Sequence, residues 1–589
     1  MQPNGIGYLK QIYNNEYNSK YSHNIVTYES MIYDRFRTKE KLNGYWNFLI
    51  DPYDTFLRAE WFKEKSKDKE GRELPCDYSF DDWERVYVPA CWNMADDKYF
   101  YYEGTAVYTR KFKYLKKSED RVFLKFGAVN YQCRIFLNKE FIAYHKGGST
   151  PFYIEVTDRL LEENRIHVVV NNIRRRESIP TDNRDWFNYG GIYRDVELIR
   201  LPQTFIKTFR ANVIDGTNLQ KIKISVEVDG NNLNGKALLT IPDLAVKKEF
   251  NVNNGRGEIE LKVQLEPWSP DNPTLYTVQV QYGDDFVMDK VGFREISVKG
   301  TEIYLNGQSI YLKGICCHED SIENGKALSE EEIIENIKLA KELNCNFMRL
   351  AHYPHSEKIT EAADQFGIML WEEIAVNWAV DFDNSATLED AKNQLCELMI
   401  RDYNRASVII WSIGNENIDT DARLVFMKEL VDTVKNMDDT RLVSAGCLID
   451  AEKNIISDRL IQYLDIIGIN EYYGWYNGNF NLLIEAFRNS RPNRPVILAE
   501  FGAEALSGHM GTIDEFFTED CQADVYRKQL IIIKDVPYIR GISPWILYDF
   551  RSPRRTNQYQ KGYNLKGLLS ADKKYKKLAY YILKKFYNY

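Results

Sequence analysis

The sequence predicts a multidomain chain that passes from β to α/β structure: a jelly-roll β-sandwich, an immunoglobulin-like β-sandwich, then a (β/α)₈ barrel. Three observations carry this. The chain has 589 residues, more than one compact core holds, since a domain usually spans ~100–200 residues. Up to about residue 297, short β-type segments are separated by turns and helical periodicity is nearly missing. From about residue 298, short apolar runs alternate with amphipathic stretches, the signature of repeated β/α units.

The elements follow in order. Residues 1–203 are assigned to the jelly roll, with Arg121–Phe126 (RVFLKF) and Cys133–Leu137 (CRIFL) as sample strands and Lys146-Gly-Gly-Ser-Thr-Pro-Phe as a turn. Residues 204–297 form the immunoglobulin-like sandwich. Lys221–Val228 (KIKISVEV) and Glu258–Leu265 (EIELKVQL) alternate with period two, as does Thr274–Gln281 (TLYTVQVQ) after the turn Trp268-Ser-Pro-Asp-Asn-Pro. Residues 298–589 form the barrel. Its apolar runs include Phe347–Leu350, Ile368–Trp371, Val408–Ile413, Ile466–Ile469, Val496–Ala499 and Ile542–Trp545. Ser329-Glu-Glu-Glu opens a helix with a capping box, followed by apolar residues at Ile333, Ile337, Ala340 and Leu343.

Composition excludes several classes. A net charge of −9 gives no basic surface for phosphate, so nucleic acid is not the partner. The charged run Lys63–Lys69 reads as solvated loop. No run of ~18 apolar residues occurs, so no membrane-spanning helix is expected. The nine cysteines are scattered, odd in number and without a C-x-x-C pair, which points to reduced thiols. The N-terminal MQPNGIGYLKQIYNNEY lacks an apolar h-region. A cytoplasmic location is therefore expected, with export left open to a chain whose leader has been trimmed. Aromatic residues reach 14%, which suits stacking on sugar rings and a β-rich core alike.

In a (β/α)₈ barrel the working residues sit at the C-terminal ends of the strands. By that rule Val408-Ile-Ile-Trp-Ser-Ile leads into Gly414-Asn415-Glu416-Asn417, and Val496-Ile-Leu-Ala into Glu500-Phe-Gly, from the fourth and seventh strands. Two carboxylates on one rim are what glycoside hydrolysis requires: one protonated to release the leaving oxygen, one to attack the anomeric carbon when the pair is ~5–5.5 Å apart. The plain alternative is that both are rim residues in salt bridges. His318, Glu319, Arg349, His352, Glu372, Glu373, Tyr472, Tyr476 and Trp545 fall on the same rim. His318, His352 and His355 lack the H-E-x-x-H or Cys/His spacing of a metal site, so they read as partners for sugar hydroxyls; no metal or other cofactor is expected.

On these residues the chain resembles glycoside hydrolase family 2, and within it the bacterial β-glucuronidases, from about residue 40 to 589. Gly292-Phe-Arg-Glu-Ile is similar to the family's opening of the barrel, and Asn346-Phe-Met-Arg-Leu-Ala-His-Tyr-Pro to its second-strand signature. Trp411-Ser-Ile-Gly-Asn-Glu is similar to its acid/base motif and Ala499-Glu-Phe-Gly to its nucleophile motif. The resemblance implies a retaining β-glucuronidase with Glu416 as general acid/base and Glu500 as nucleophile. It also implies that Asn415 binds the sugar 2-hydroxyl and that Tyr472 orients the nucleophile. Asn564-Leu-Lys-Gly resembles the N-x-K motif that holds a uronate C6 carboxylate, which implies that role for Asn564 and Lys566. Asp185-Trp-Phe-Asn-Tyr-Gly-Gly-Ile resembles a loop that reaches the sugar, with Asp185 accepting from hydroxyls around C4 and Tyr476 touching the uronate.

Two departures from the family pattern stand out. Gln560 lies where a well-known bacterial member has an arginine near the carboxylate, with Arg551, Arg554 and Arg555 as nearby substitutes. Only Asn377–Leu388 separates the third strand from the next helix, which implies an open site with no sharp preference for small aglycones. The rival activities are β-galacturonidase, which keeps the carboxylate grip but takes an axial 4-hydroxyl, and other family 2 β-glycosidases. β-Galactosidase is disfavoured on the argument that Lys566 would lack a carboxylate partner. A catalytically idle sugar-binding protein on this scaffold is a rival of another class, disfavoured by the presence of both glutamates. The expected partner is a small-molecule or oligosaccharide glucuronide, and the family's habit implies a homodimer or homotetramer.

Overall fold

A computed structural model describes residues 20–64, 70–72, 79–116, 119–214, 219–450, 452–477 and 479–588. The N-terminal stretch read above, Cys76 and most of the charged run 63–69 lie outside the described residues. The chain forms two compact units. One holds the chain up to Arg174 with Asn188–Phe205 and Asn324–Ala327; the other holds Arg175–Phe187, Ile206–Glu323 and Leu328 onward.

The first unit is built on a four-stranded and a six-stranded antiparallel sheet. Arg121–Phe126 is a strand as predicted, and the second sample strand is Gln132–Leu137. Arg121–Phe126 is buried almost throughout, and Lys125 is tolerated there because its ammonium pairs with Asp34 at 2.8 Å. Phe126, Val168, Val170, Trp46 and Ile135 fill the core between the sheets.

The second unit begins with seven antiparallel strands in one hydrogen-bonded order. Lys221–Asp229 shows the expected alternation, with Ile222, Ile224, Val226 and Val228 buried. The ladder between Val246–Asn253 and Arg256–Lys262 is only two pairs long, Val252 with Gly257 and Asn253 with Arg256. That short ladder divides the order into layers of three and four strands. Trp268 is fully buried, and its indole N–H donates to the carbonyl of Asp364 at 2.8 Å, locking this region to the barrel's second helix.

Eight parallel strands then close into a barrel: β1 (Leu312–Cys317), β2 (Phe347–Leu350), β3 (Met369–Glu373), β4 (Val408–Asn415), β5 (Leu442–Leu448), β6 (Ile467–Asn470), β7 (Val496–Glu500) and β8 (Ile539–Ile542). Most outer helices follow the predicted amphipathic stretches. The first, Glu330–Glu342, carries the expected capping box between Ser329 and Glu332, and Ile333, Ile337, Ala340 and Leu343 are buried. Three expectations need adjustment. The eighth strand ends at Ile542, so the apolar run Ile542–Trp545 is mostly the loop beyond it. Between β5 and β6 stands a single 3₁₀ turn, Arg459–Gln462, instead of an α-helix. The helix after β3 starts at Ser385, inside the stretch assigned to loop.

Strand β5 escapes an apolar-run search because Ser444 and Gly446 interrupt it. Gly446 is required: a Cβ there would run into Oδ1 of Asn415 on the neighbouring strand. No helix among the described residues is long and apolar enough to cross a membrane. The eight described cysteines are all buried.

Candidate active site

A cavity of about 330 Å³ opens at the C-terminal end of the barrel. Ten residues named from the sequence line it: Asp185, His318, His352, Glu416, Tyr472, Tyr476, Glu500, Trp545, Asn564 and Lys566. Glu319, Arg349, His355, Glu372, Glu373 and Asn415 are not in its lining. Asn415 is one step removed. It lies just beneath the floor, where its Oδ1 accepts from Arg349 at 2.8 Å and from Asn470 at 3.0 Å, and its amide donates to Asn377 at 3.0 Å.

Glu500 ends β7, and both of its oxygens face donors. Arg349 donates to Oε1 at 2.7 Å and the Tyr472 hydroxyl to Oε2 at 2.7 Å, with His352 Nε2 at 3.7 Å. Arg349 is fully buried and also bonds both oxygens of Glu373, at 3.0 and 2.9 Å. Burial pushes the Glu373 carboxyl up, but the Arg349 charge and His352 outweigh it and hold it at about 2. Burial and the neighbouring Glu500 charge keep the Tyr472 phenol well above its usual range, so it remains a donor.

Glu416 directly follows β4 in a left-handed backbone conformation, φ +51°, with its N–H on the Gly446 carbonyl at 2.7 Å. For a non-glycine residue this conformation is strained, and here it turns the side chain into the cavity. Its Oε2 accepts from the Trp378 indole at 2.6 Å and its Oε1 from Asn470 at 3.1 Å. Burial first, then the charge of Glu500, raises the Glu416 pKa; the two hydrogen bonds pull it partly back. The pair therefore sets a carboxyl that tends to keep its proton opposite a glutamate hydrogen-bonded by a guanidinium and a phenol.

The opposite end of the cavity is a knot of charges. Lys566 Nζ donates to the Tyr476 hydroxyl at 2.7 Å and to Glu504 at 3.0 Å. Arg555 donates to the same hydroxyl at 3.0 Å, forks onto Asp185 at 3.1 Å to each oxygen, and lies 3.5 Å from Glu504. Asn564 donates to Asp185 at 3.2 Å, and Gln560 to Glu504 at 2.6 Å. Burial would raise both carboxyls, yet Arg555 lowers Asp185, and Lys566 with Gln560 lowers Glu504. The Tyr476 oxygen thus accepts from two cations, which leaves its one proton for a third partner. Behind the knot, buried Lys577 donates to Asp549 at 2.7 Å and to the carbonyl of Leu565 at 3.0 Å, pinning the 564–567 loop from below.

His318 and His352 pack against aromatic rings. His352 stacks on Trp545 at 4.9 Å and bonds Glu373 at 2.7 Å; His318 meets the Tyr353 hydroxyl at 3.0 Å. Among the described residues, no group of three or more His, Cys, Asp and Glu could hold a metal ion. Sequence reasoning gives no role to Trp378, Asn377 and Glu504, and reaches Asn470 and Trp186 only as members of the sixth-strand rim and of the Asp185 loop. Glu504 overturns one argument made above: Lys566 does not need a substrate carboxylate to find a partner. Of the three substitute arginines, Arg555 joins the knot. Arg551 instead bonds the carbonyls of Ser321 and Ile322, and Arg554 lies over Trp378.

Family models match three consecutive stretches: glycosyl hydrolases family 2, sugar binding domain, over 39–202; glycosyl hydrolases family 2 over 204–294; and glycosyl hydrolases family 2, TIM barrel domain, over 296–589. A β-glucuronidase of Paenibacillus borealis is 26% identical over 89% of this chain and 94% of its own. One of Bacteroides fragilis is 28% identical over 86% of this chain and 79% of its own. Among solved structures, a β-glucuronidase from an uncultured Clostridium has a TM-score of 0.83 at 25% identity, covering 95% of this chain and 99% of that one. A β-galacturonidase of Eisenbergiella tayi bound to galacturonate shares the fold at a TM-score of 0.81 and 24% identity, over 94% and 98% of the two chains.

Proposed function

The chain belongs to glycoside hydrolase family 2, and from that premise we propose that it hydrolyses β-D-glucuronides by double displacement with net retention. It is a glycoside hydrolase, and the specific substrate is our reading. Glu416 gives its proton to the glycosidic oxygen while Glu500 attacks C1, forming a covalent glycosyl-enzyme and releasing the aglycone as an alcohol. Water then enters, Glu416 takes its proton, and the attack on C1 frees Glu500 and a β-configured uronic acid. Arg349 and Tyr472 hold the nucleophile by its two oxygens, one donor on each, which fixes its orientation at the cavity and leaves lone pairs free to react. Trp378 and Asn470 hold the acid.

The observation that carries the uronide reading is the Tyr476 hydroxyl between Lys566 and Arg555, with Asn564 beside them, at one end of the cavity that also holds both glutamates. A carboxylate placed there meets an O–H, an amide and an ammonium at once, whereas a neutral hydroxymethyl group offers no charge to answer them. The β-glucuronidase names of relatives aligned over about nine-tenths of the chain support the same reading. β-Galacturonidase is the second reading, because a uronate of either C4 configuration presents the same carboxylate to Lys566, Asn564 and the Tyr476 hydroxyl. A panel of 4-nitrophenyl β-glucuronide, β-galacturonide, β-glucoside and β-galactoside tests this. The glucuronide should give the highest kcat/KM, and a neutral glycoside turning over faster would end the uronide reading. We further read the modules as 1–203, 204–297 and 298–589, the odd number of scattered cysteines without a C-x-x-C pair as fitting the cytoplasm, and the assembly as a dimer or tetramer measurable by light scattering.

A further inference from the structure

We propose that Trp378 and Arg554 form the leaving-group subsite, and that it is built for an aglycone whose first ring carries an anionic group, carboxylate or sulfate-type. The inference rests on the glucuronidase reading of the cavity and deepens it, since nothing above assigns a role to the aglycone side.

The location follows from the acid. Whatever departs must bring its oxygen within hydrogen-bond reach of Glu416. The Trp378 indole N–H already sits on Glu416 Oε2 at 2.6 Å and the ring lines the cavity, so the aglycone's first atoms must pass along this ring. The placement of Trp378 is built in. Its backbone is left-handed, φ +56°, its N–H donates to the Asn415 carbonyl at 2.9 Å, and its carbonyl accepts from Asn417 at 2.8 Å. A strained residue clamped on both backbone groups is held where it is by the structure around it.

The charge follows from Arg554. Its guanidinium carbon lies 5.2 Å from the centre of the Trp378 ring, and the side chain is exposed. It bonds only neutral groups, the Asn183 side-chain oxygen at 2.7 Å and the Arg184 carbonyl at 3.4 Å. Among the described residues no carboxylate lies within ion-pair distance of it, whereas Arg551 has Asp320 and Arg555 has Asp185 and Glu504. Arg554 thus differs from its neighbours in presenting an uncompensated positive charge one ring beyond the acid. A neutral aglycone leaves that charge to water, while a ring bearing an anion pairs with it and gains the stacking surface as well.

The test uses matched aryl β-glucuronides. 4-Carboxyphenyl is compared with 4-carbamoylphenyl glucuronide, and 4-sulfophenyl with 4-sulfamoylphenyl glucuronide, so that shape is kept and charge is removed; the two pairs also separate carboxylate from sulfate-type anions. Wild-type kcat/KM should favour the charged member of at least one pair by about fivefold, the size of an exposed ion pair. The preference should shrink in 0.5 M salt, a measurement that needs no variant. Arg554→Gln should abolish the preference while leaving the neutral members within about twofold of wild type. An unchanged ratio in Arg554→Gln, no preference in wild type, or an equal loss on charged and neutral members would each overturn the subsite. The last outcome would mean that Arg554 only props the indole. Failure to cleave any of the four glucuronides would overturn the glucuronidase reading itself, and the inference with it.

Discussion

Replacing Lys566 by alanine tests the recognition end of the cavity most directly. A hydrogen bond to a charged group contributes roughly 1.5–3 kcal/mol, so loss of the ammonium should lower kcat/KM on a glucuronide by about 10- to 150-fold. The surroundings set where in that range the result falls. Without Lys566, Glu504 stays buried, 1% exposed, with Gln560 at 2.6 Å, the Leu565 N–H at 3.3 Å and Arg555 at 3.5 Å as its remaining partners. Its negative charge then faces the incoming uronate, which moves the loss toward the upper end. The same exposed imbalance costs stability: breaking a buried pair typically costs ~3–5 kcal/mol, and the three surviving donors put this case at or below the lower figure. Melting temperature and initial rates on 4-nitrophenyl glucuronide and glucoside should be measured together. The glucoside rate should fall much less than the glucuronide rate. Lys566→Ala with Glu504→Gln should recover the melting temperature and part of the glucuronide rate, because the orphaned carboxylate is gone. A glucuronide-to-glucoside ratio unmoved by Lys566→Ala would refute the reasoning.

Other outcomes follow from the same geometry. Glu500→Ala should abolish turnover, with azide restoring some of it as an α-glycosyl azide; a variant as active as wild type on an unactivated glucuronide would remove Glu500 from its role. The acid must be protonated to act, and the Trp378 hydrogen bond lowers the Glu416 pKa, so Trp378→Phe should shift the alkaline limb of kcat/KM to higher pH; a shift downward contradicts the assignment. Burial raises the Glu471 carboxyl to about 8, so the folded protein holds a proton there that the unfolded chain has already lost. Stability from this group is complete below the ordinary value of 4.5 and drains away up to about 8, so Glu471→Gln should raise the melting temperature more at pH 8 than at pH 5, as scanning calorimetry would show.

What could be read beforehand depended on whether a residue was tied to a periodic element. Glu416 and Glu500 stand directly after apolar strands, so counting strands found them and the rim rule gave them a purpose. Asn564 and Lys566 have no such anchor, and only their likeness to a family motif singled them out. Trp378, which touches the acid, sits in an aperiodic stretch held by an isolated bridge between Asn377 and Asn415, and nothing in its neighbours' hydrophobicity marks it. Glu504 was overlooked because it reads as one more acidic residue after β7; its partner Lys566 is 62 positions away, a separation that only folding closes. The eighth strand was set late because Ile542 and Trp545 are both apolar, although Pro544 between them cannot serve a ladder as donor. Asn415 was placed on the right strand, but its depth depends on Gly446 across the ladder, which a linear reading does not connect.

The buried guanidinium of Arg349 gives the barrel a division of labour. Rooted on β2, it reaches Glu373 on β3, Asn415 on β4 and Glu500 on β7 at the same time. A lysine, with one nitrogen and no planar fork, could not satisfy all three. The reaction centre is therefore fixed by the strands as a single interlocked part that tolerates no piecemeal exchange. In the proposed reading, the grip on the sugar's far end falls instead to the segment beyond β8, on Arg555, Asn564 and Lys566, outside that lock. New substrate preferences can accordingly arise by redrafting one loop, while the bond-breaking apparatus is inherited whole.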